Sequence, residues 1–251
     1  MPAFRFAVLA VLVGAAFAHA HYHMLLPDKP AVKAGEAVTF TFQNGHPFEH
    51  ELSDATEPEA VYVVNPDGTR TNLKKELKKI TVDGAEGKVT AYQLTFTPAK
   101  KGDYILVAVS PELKGGGKLP HKDVTKVVLH VQTQKGWDND AVDDTTTPFD
   151  LQPLTRPYGL TPGTAFHVDV LDAEGKPVRR CPVEVERYNA TPPKVIPPDE
   201  LVTAVSRTSR TGTAVVTLSE AGWWCITATK DGEKAQHRCT LWVYVDPSPT
   251  K

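Results

Sequence analysis

The sequence predicts an all-β protein made of two immunoglobulin-like β-sandwiches. Three observations carry that expectation. The chain has 21 Pro and only 2 Met in 251 residues, and its apolar residues gather in short Val/Thr-rich runs rather than at helical spacing. Turn sequences separate the runs: Asn65-Pro66-Asp67-Gly68, Val82-Asp83-Gly84 and Lys101-Gly102-Asp103 place Asp, Gly and Pro where tight reversals need them. Each half supplies about 100 residues, the size of one such sandwich.

Residues 1–20 (MPAFRFAVLAVLVGAAFAHA) carry one cation, Arg5, then an apolar run and small residues. That order reads as a secretory signal peptide, too short for a spanning helix. Cleavage after Ala18 starts the mature chain at His19; cleavage after Ala20 starts it at His21. No later apolar run is long enough to cross a bilayer, so the expectation is a soluble periplasmic or secreted protein without direct membrane insertion.

Residues 21–135 form the expected first sandwich, with strands at 38–42, 61–64, 92–97, 104–109 and 125–131. Residues 73–80 (LKKELKKI) fit a short helix and an edge strand equally well. The polar, acidic, proline-terminated stretch 136–149 reads as a linker. Its four Asp lack the ordered spacing of a calcium loop. Residues 150–247 form the expected second sandwich, with strands at 165–171, 183–188, 214–218, 223–229 and 240–245. Export permits a disulfide, and Cys225–Cys239 or Cys181–Cys239 are the pairings expected among the three cysteines.

A net charge of −2 leaves no electrostatic footprint for nucleic acid. The sequence holds no nucleophile elbow, phosphate-binding loop or dinucleotide fingerprint, and the expectation is a protein that is not an enzyme. Its distinctive feature is histidine: five of nine fall at positions 19, 21, 23, 46 and 50. At a fresh amino terminus, an α-amine, two deprotonated amides and a third-position imidazole give four nitrogens in a plane, a set suited to Cu2+ or Ni2+. Both cleavage registers meet that pattern, as His19-Ala20-His21 or His21-Tyr22-His23. A second group, Gly45-His46-Pro47-Phe48-Glu49-His50-Glu51, reads as a loop after the strand ending near Phe42, because Pro47 biases His46 away from helix. His21, His23, His46 and His50 are thus the candidate metal ligands, with Glu49 and Glu51 as groups that can orient imidazoles.

The signal peptide ending in His-Ala-His, the start HYHMLLPDKPAVKAGEAVTFTF and the following GHPFEHE resemble the NikM/NikK-like exported family associated with nickel and cobalt uptake, formerly known only as a domain of unknown function. Arg156-Pro157-Tyr158-Gly159, Glu174-Gly175-Lys176-Pro177-Val178 and Gly222-Trp223-Trp224 resemble its C-terminal sandwich. The resemblance implies a periplasmic protein that captures Ni2+ or Co2+ for an uptake system, with a membrane metal transporter as partner. Members that act as transporter subunits carry membrane helices, and the expectation for this chain is a detached component. A copper-binding or copper-resistance protein is the nearest alternative, since Cu2+ binds the same nitrogens more tightly. A copper enzyme built on an amino-terminal histidine brace needs a flat aromatic face that the sequence does not display. A metal-free pair of structural sandwiches is the third alternative.

Overall fold

The computed structural model describes residues 21–114, 119–132, 137 and 149–247. The expected signal peptide lies outside the described residues, as does the expected linker apart from Trp137 and Phe149. The chain is all-β. In order the strands are β1 (Tyr22–Pro27), β2 (Ala31–Val32), β3 (Val38–His46), β4 (Glu51–Ser53), β5 (Ala60–Val64), β6 (Arg70–Asn72), β7 (Lys78–Gly84), β8 (Gly87–Phe96), β9 (Gly102–Val109) and β10 (His121–Val131). The second half adds β11 (Phe149–Pro153), β12 (Thr164–Asp172), β13 (Pro182–Arg187), β14 (Ala204–Arg207), β15 (Thr213–Leu218), β16 (Gly222–Asp231) and β17 (Gln236–Val245). A 3-10 turn at Lys74–Glu76 and a single α turn, α1 (Asp199–Val202), complete the described elements. Each expected strand coincides with an observed one to within a residue or by extension. The ambiguous stretch 73–80 resolves into the 3-10 turn followed by the edge strand β7.

The strands form three sheets. A five-stranded sheet runs β1-β3-β8-β7 with β4 on β3, a nine-stranded sheet runs β14-β13-β16-β17-β10-β9-β5-β6 with β2 on β10, and β11-β12-β15 make a third. The large sheet is central, and its residues alternate between two cores. In β9, Tyr104, Leu106 and Ala108 pack with Phe40, Phe42 and Leu94 of the five-stranded sheet. Ile105, Val107 and Val109 pack with Phe166, Val168 and Val216 of the three-stranded sheet. A strand covered on both faces needs apolar side chains at every position, which is why YILVAV is unbroken. β15, covered on one face, alternates: Ala214, Val216 and Leu218 are buried while Val215 and Thr217 are exposed. Each fully buried Phe or Leu contributes roughly 1.5–3 kcal/mol.

The central sheet draws on both sides of the expected linker. β10 pairs in parallel with β17, from His121 opposite Gln236 to Val127 opposite Trp242. Trp242 and Cys225 reach back into the core beneath the five-stranded sheet.

The expected disulfides are not formed. Cys181, Cys225 and Cys239 are free and buried. In the β16–β17 ladder Cys225 lies opposite Trp242 and Cys239 opposite Ala228. Cys225 therefore enters one core and Cys239 the other, with the sheet between them. The Cys181 thiol donates instead to Thr229 O at 3.2 Å.

Candidate metal centre

The amino-terminal histidines lie on an ordered strand. β1 is buried along its whole length and pairs antiparallel with β3, Tyr22 opposite Gly45 and His23 opposite Asn44. One step beyond that ladder, His21 and His46 meet with ring centroids 4.5 Å apart and planes at 80°. His46 is the last residue of β3, not part of a loop as its neighbour Pro47 suggested. The strand runs past Phe42 because Asn44, Gly45 and His46 continue the ladder onto β4, His46 opposite Glu51. Gly45 is required here: its φ is +148°, and an added Cβ would stand 2.1 Å from Glu51 O.

His23 turns inward. Its ring stacks on Phe42 at 5.2 Å, and its Nδ1 lies 2.7 Å from Asp123 Oδ2 on β10. Arg238 on β17 donates from Nε to Asp123 Oδ1 at 2.7 Å and from Nη2 to Oδ2. Burial alone would raise the Asp123 pKa, but the Arg238 guanidinium and the His23 bond outweigh it and hold the carboxyl well below the usual carboxylate range. An ionised carboxylate only accepts, so His23 Nδ1 is the donor. The other ring nitrogen, Nε2, is buried and has no hydrogen-bond partner. A buried ring nitrogen without a partner costs about 1–3 kcal/mol. A histidine held from behind by a carboxylate with its far nitrogen available is the arrangement found in metal-ligating imidazoles.

The backbone of the same segment is sewn to the central sheet. Arg238 Nη1 donates to His21 O at 2.9 Å. Thr125 Oγ1 and Trp242 Nε1 donate to His23 O at 3.1 and 3.3 Å. The expected planar four-nitrogen set for His21-Tyr22-His23 asks for a different local arrangement. That set wraps the chain around the ion, whereas β1 is extended and the His23 ring is committed to Asp123.

The turn after His46 is clamped from the second half of the chain. Phe48 N–H donates to Glu186 Oε1 at 3.0 Å, and Asn189 brackets the turn through Pro47 O and Phe48 O. Thr203 Oγ1 donates to Glu186 Oε2 at 2.8 Å. Burial, with Glu49 and Glu184 nearby, raises the Glu186 pKa to about 7 against the pull of these donors. His50 closes the turn with φ 56°. Its ring sits 5.8 Å from Tyr188, and its Nδ1 is buried without a partner. It lines a cleft with Glu49, Glu51 and Ile196. The structure thus joins His21 to His46, seats His23 on Asp123 and sets His50 at the far end of the turn. As the side chains stand, no three His, Cys, Asp or Glu among the described residues form a ready-made metal-holding group. Asp123 and Arg238, which hold His23, were not singled out by sequence; their pairing depends on β10 lying beside β17.

The His21–His46 contact and the neighbouring His23–Asp123 pair make up the candidate site. The chain belongs to the family described as a domain of unknown function (DUF4198), whose model matches residues 18–232. No curated protein matches the chain. Among solved structures it is similar to the ectodomain (Ig1–Ig3) of mouse nectin-like molecule 4, with 11% identity, a TM-score of 0.26 and coverage of 91% of this chain and 65% of that one. It is also similar to a DUF4785 family protein from Legionella pneumophila, with 10% identity, a TM-score of 0.30 and coverage of 90% and 56%. A third similarity is to Salmonella alpha-2-macroglobulin, with 13% identity, a TM-score of 0.28 and coverage of 90% and 15%. No helix among the described residues is long and apolar enough to cross a membrane.

Proposed function

We propose that the protein is an exported transition-metal-binding protein that holds one divalent ion between His21 and His46, with His23 as the buried ligand beneath them. The observation that carries this reading is His23, whose Nδ1 is fixed by Asp123 while its buried Nε2 lacks a partner. Three imidazoles on paired strands suit Ni2+, Co2+, Cu2+ or Zn2+ rather than Ca2+ or Mg2+, which prefer oxygen ligands. The family shown is a domain of unknown function; the sequence resemblance to NikM/NikK-like proteins, which covers nearly the whole mature chain, favours capture of Ni2+ or Co2+ for a membrane uptake system, without catalysis. A copper reading has one observation of its own. Cleavage after Ala20 would place the new α-amine on His21, beside the ring that meets His46, and an amine with two imidazoles favours Cu2+.

Calorimetric titration of the chain beginning at His21 with Ni2+, Co2+, Cu2+ and Zn2+ tests the proposal. One equivalent should bind, raise the melting temperature, and be lost in a His21→Ala/His46→Ala variant. Absence of binding heat and of any melting shift with all of these ions would leave a metal-free structural module.

A further inference from the structure

We propose that His121 is a further ligand of the same ion, reaching it from the central sheet while the other imidazoles come from the outer one. This rests on the metal-binding reading above and extends its donor set to a residue remote in sequence. The argument begins with alternation along β10. Asp123 bonds the His23 ring, Thr125 bonds the His23 carbonyl, and Val127 shares a core with Phe42. Odd-numbered residues of β10 therefore face β1 and β3, and His121 is the next in that series, about 7 Å along the strand from Asp123.

Its backbone is fixed on both sides. His121 N–H donates to Leu113 O at 2.9 Å, Leu113 N–H donates to His121 O at 2.8 Å, and the residue lies opposite Gln236 of β17. His121 is also within electrostatic range of Asp123, Arg238, His23 and His21. His23, His46 and His121 lie on strands held by ladder pairing, and His21 stands one step before β1. Sulfur takes no part in this donor set, because the three cysteines are buried in the cores.

The test uses the chain beginning at His21 with Ni2+ and Cu2+ as probes, in wild type and in His121→Asn and His121→Gln. Both variants should bind Ni2+ at least about tenfold more weakly. Cu2+-loaded wild type should show one more coupled imidazole by pulsed electron paramagnetic resonance than either variant. Unchanged affinity and imidazole count in variants with wild-type near-ultraviolet circular dichroism would overturn the inference. If His121 variants bind normally while His21→Ala/His46→Ala does not, only His121 is removed from the site. If wild type binds neither ion, the metal reading falls with it. Should the variants not fold, diethyl pyrocarbonate labelling of wild type decides: bound Ni2+ should protect His121, and equal labelling with and without Ni2+ would overturn its role.

Discussion

Replacing Asp123 by Ala probes the junction on which the site is built. The carboxylate is 4% exposed, accepts two bonds from Arg238, itself 8% exposed, and holds His23 Nδ1. Its removal leaves a buried guanidinium without a counter-charge and a buried ring N–H without an acceptor. Breaking a buried pair in this way costs about 3–5 kcal/mol. For a chain of this size each kcal/mol moves the melting temperature about 2–4 °C, so a fall of about 6–20 °C is expected. Differential scanning calorimetry on metal-free protein at pH 7 measures it. Adding Arg238→Met to Asp123→Ala removes the stranded charge and should restore at least half of the loss. The Asp123 pKa is held below its unfolded value, so the contribution is fully present above the ordinary Asp range and is lost only as pH falls through the lower, folded value. A fall below about 1 kcal/mol in the single variant would refute the buried ion-pair argument.

Other predictions follow from neighbouring features. Gly45→Ala should lose at least about 2 kcal/mol in urea unfolding and weaken metal binding, because the new Cβ meets Glu51 O and displaces His46. Dithiothreitol should leave the melting temperature unchanged, and alkylation after denaturation without reductant should label all three cysteines. Glu186 has a folded pKa of about 7 against an ordinary 4.5, so the folded chain holds the extra proton between those values. Stability from this group is complete below about pH 4.5 and is lost as pH rises through 7, a change of about 3 kcal/mol that Glu186→Gln should flatten in melts from pH 4 to 8.

Much of the fold is legible in sequence because sandwich strands are short, apolar and bounded by turns. β9 and β17 read as strands directly from YILVAV and TLWVYV. The parallel union of β10 with β17 is not legible, since it joins segments more than 100 residues apart with no local signal for the partner. That union assembles Asp123 with Arg238, which is why the support of His23 escapes a sequence reading. His21, His23 and His46 stood out by their crowding. Their division of roles did not, because it depends on which face of β1 meets the central sheet. Pro47 misled in one respect: it ends β3 rather than placing His46 in a loop. The cysteines misled because the expected export would favour pairing, while the pleat sends Cys225 and Cys239 to opposite faces.

Native mass spectrometry of the protein produced from its full sequence in a host able to export it, and incubated with Ni2+, Co2+ or Cu2+, tests the central claim most directly. The account predicts a polypeptide beginning at His19 or His21 that retains one metal ion, and loss of that ion when His21 and His46 are replaced together. A polypeptide that stays metal-free, or one whose ion survives that double replacement, would contradict it.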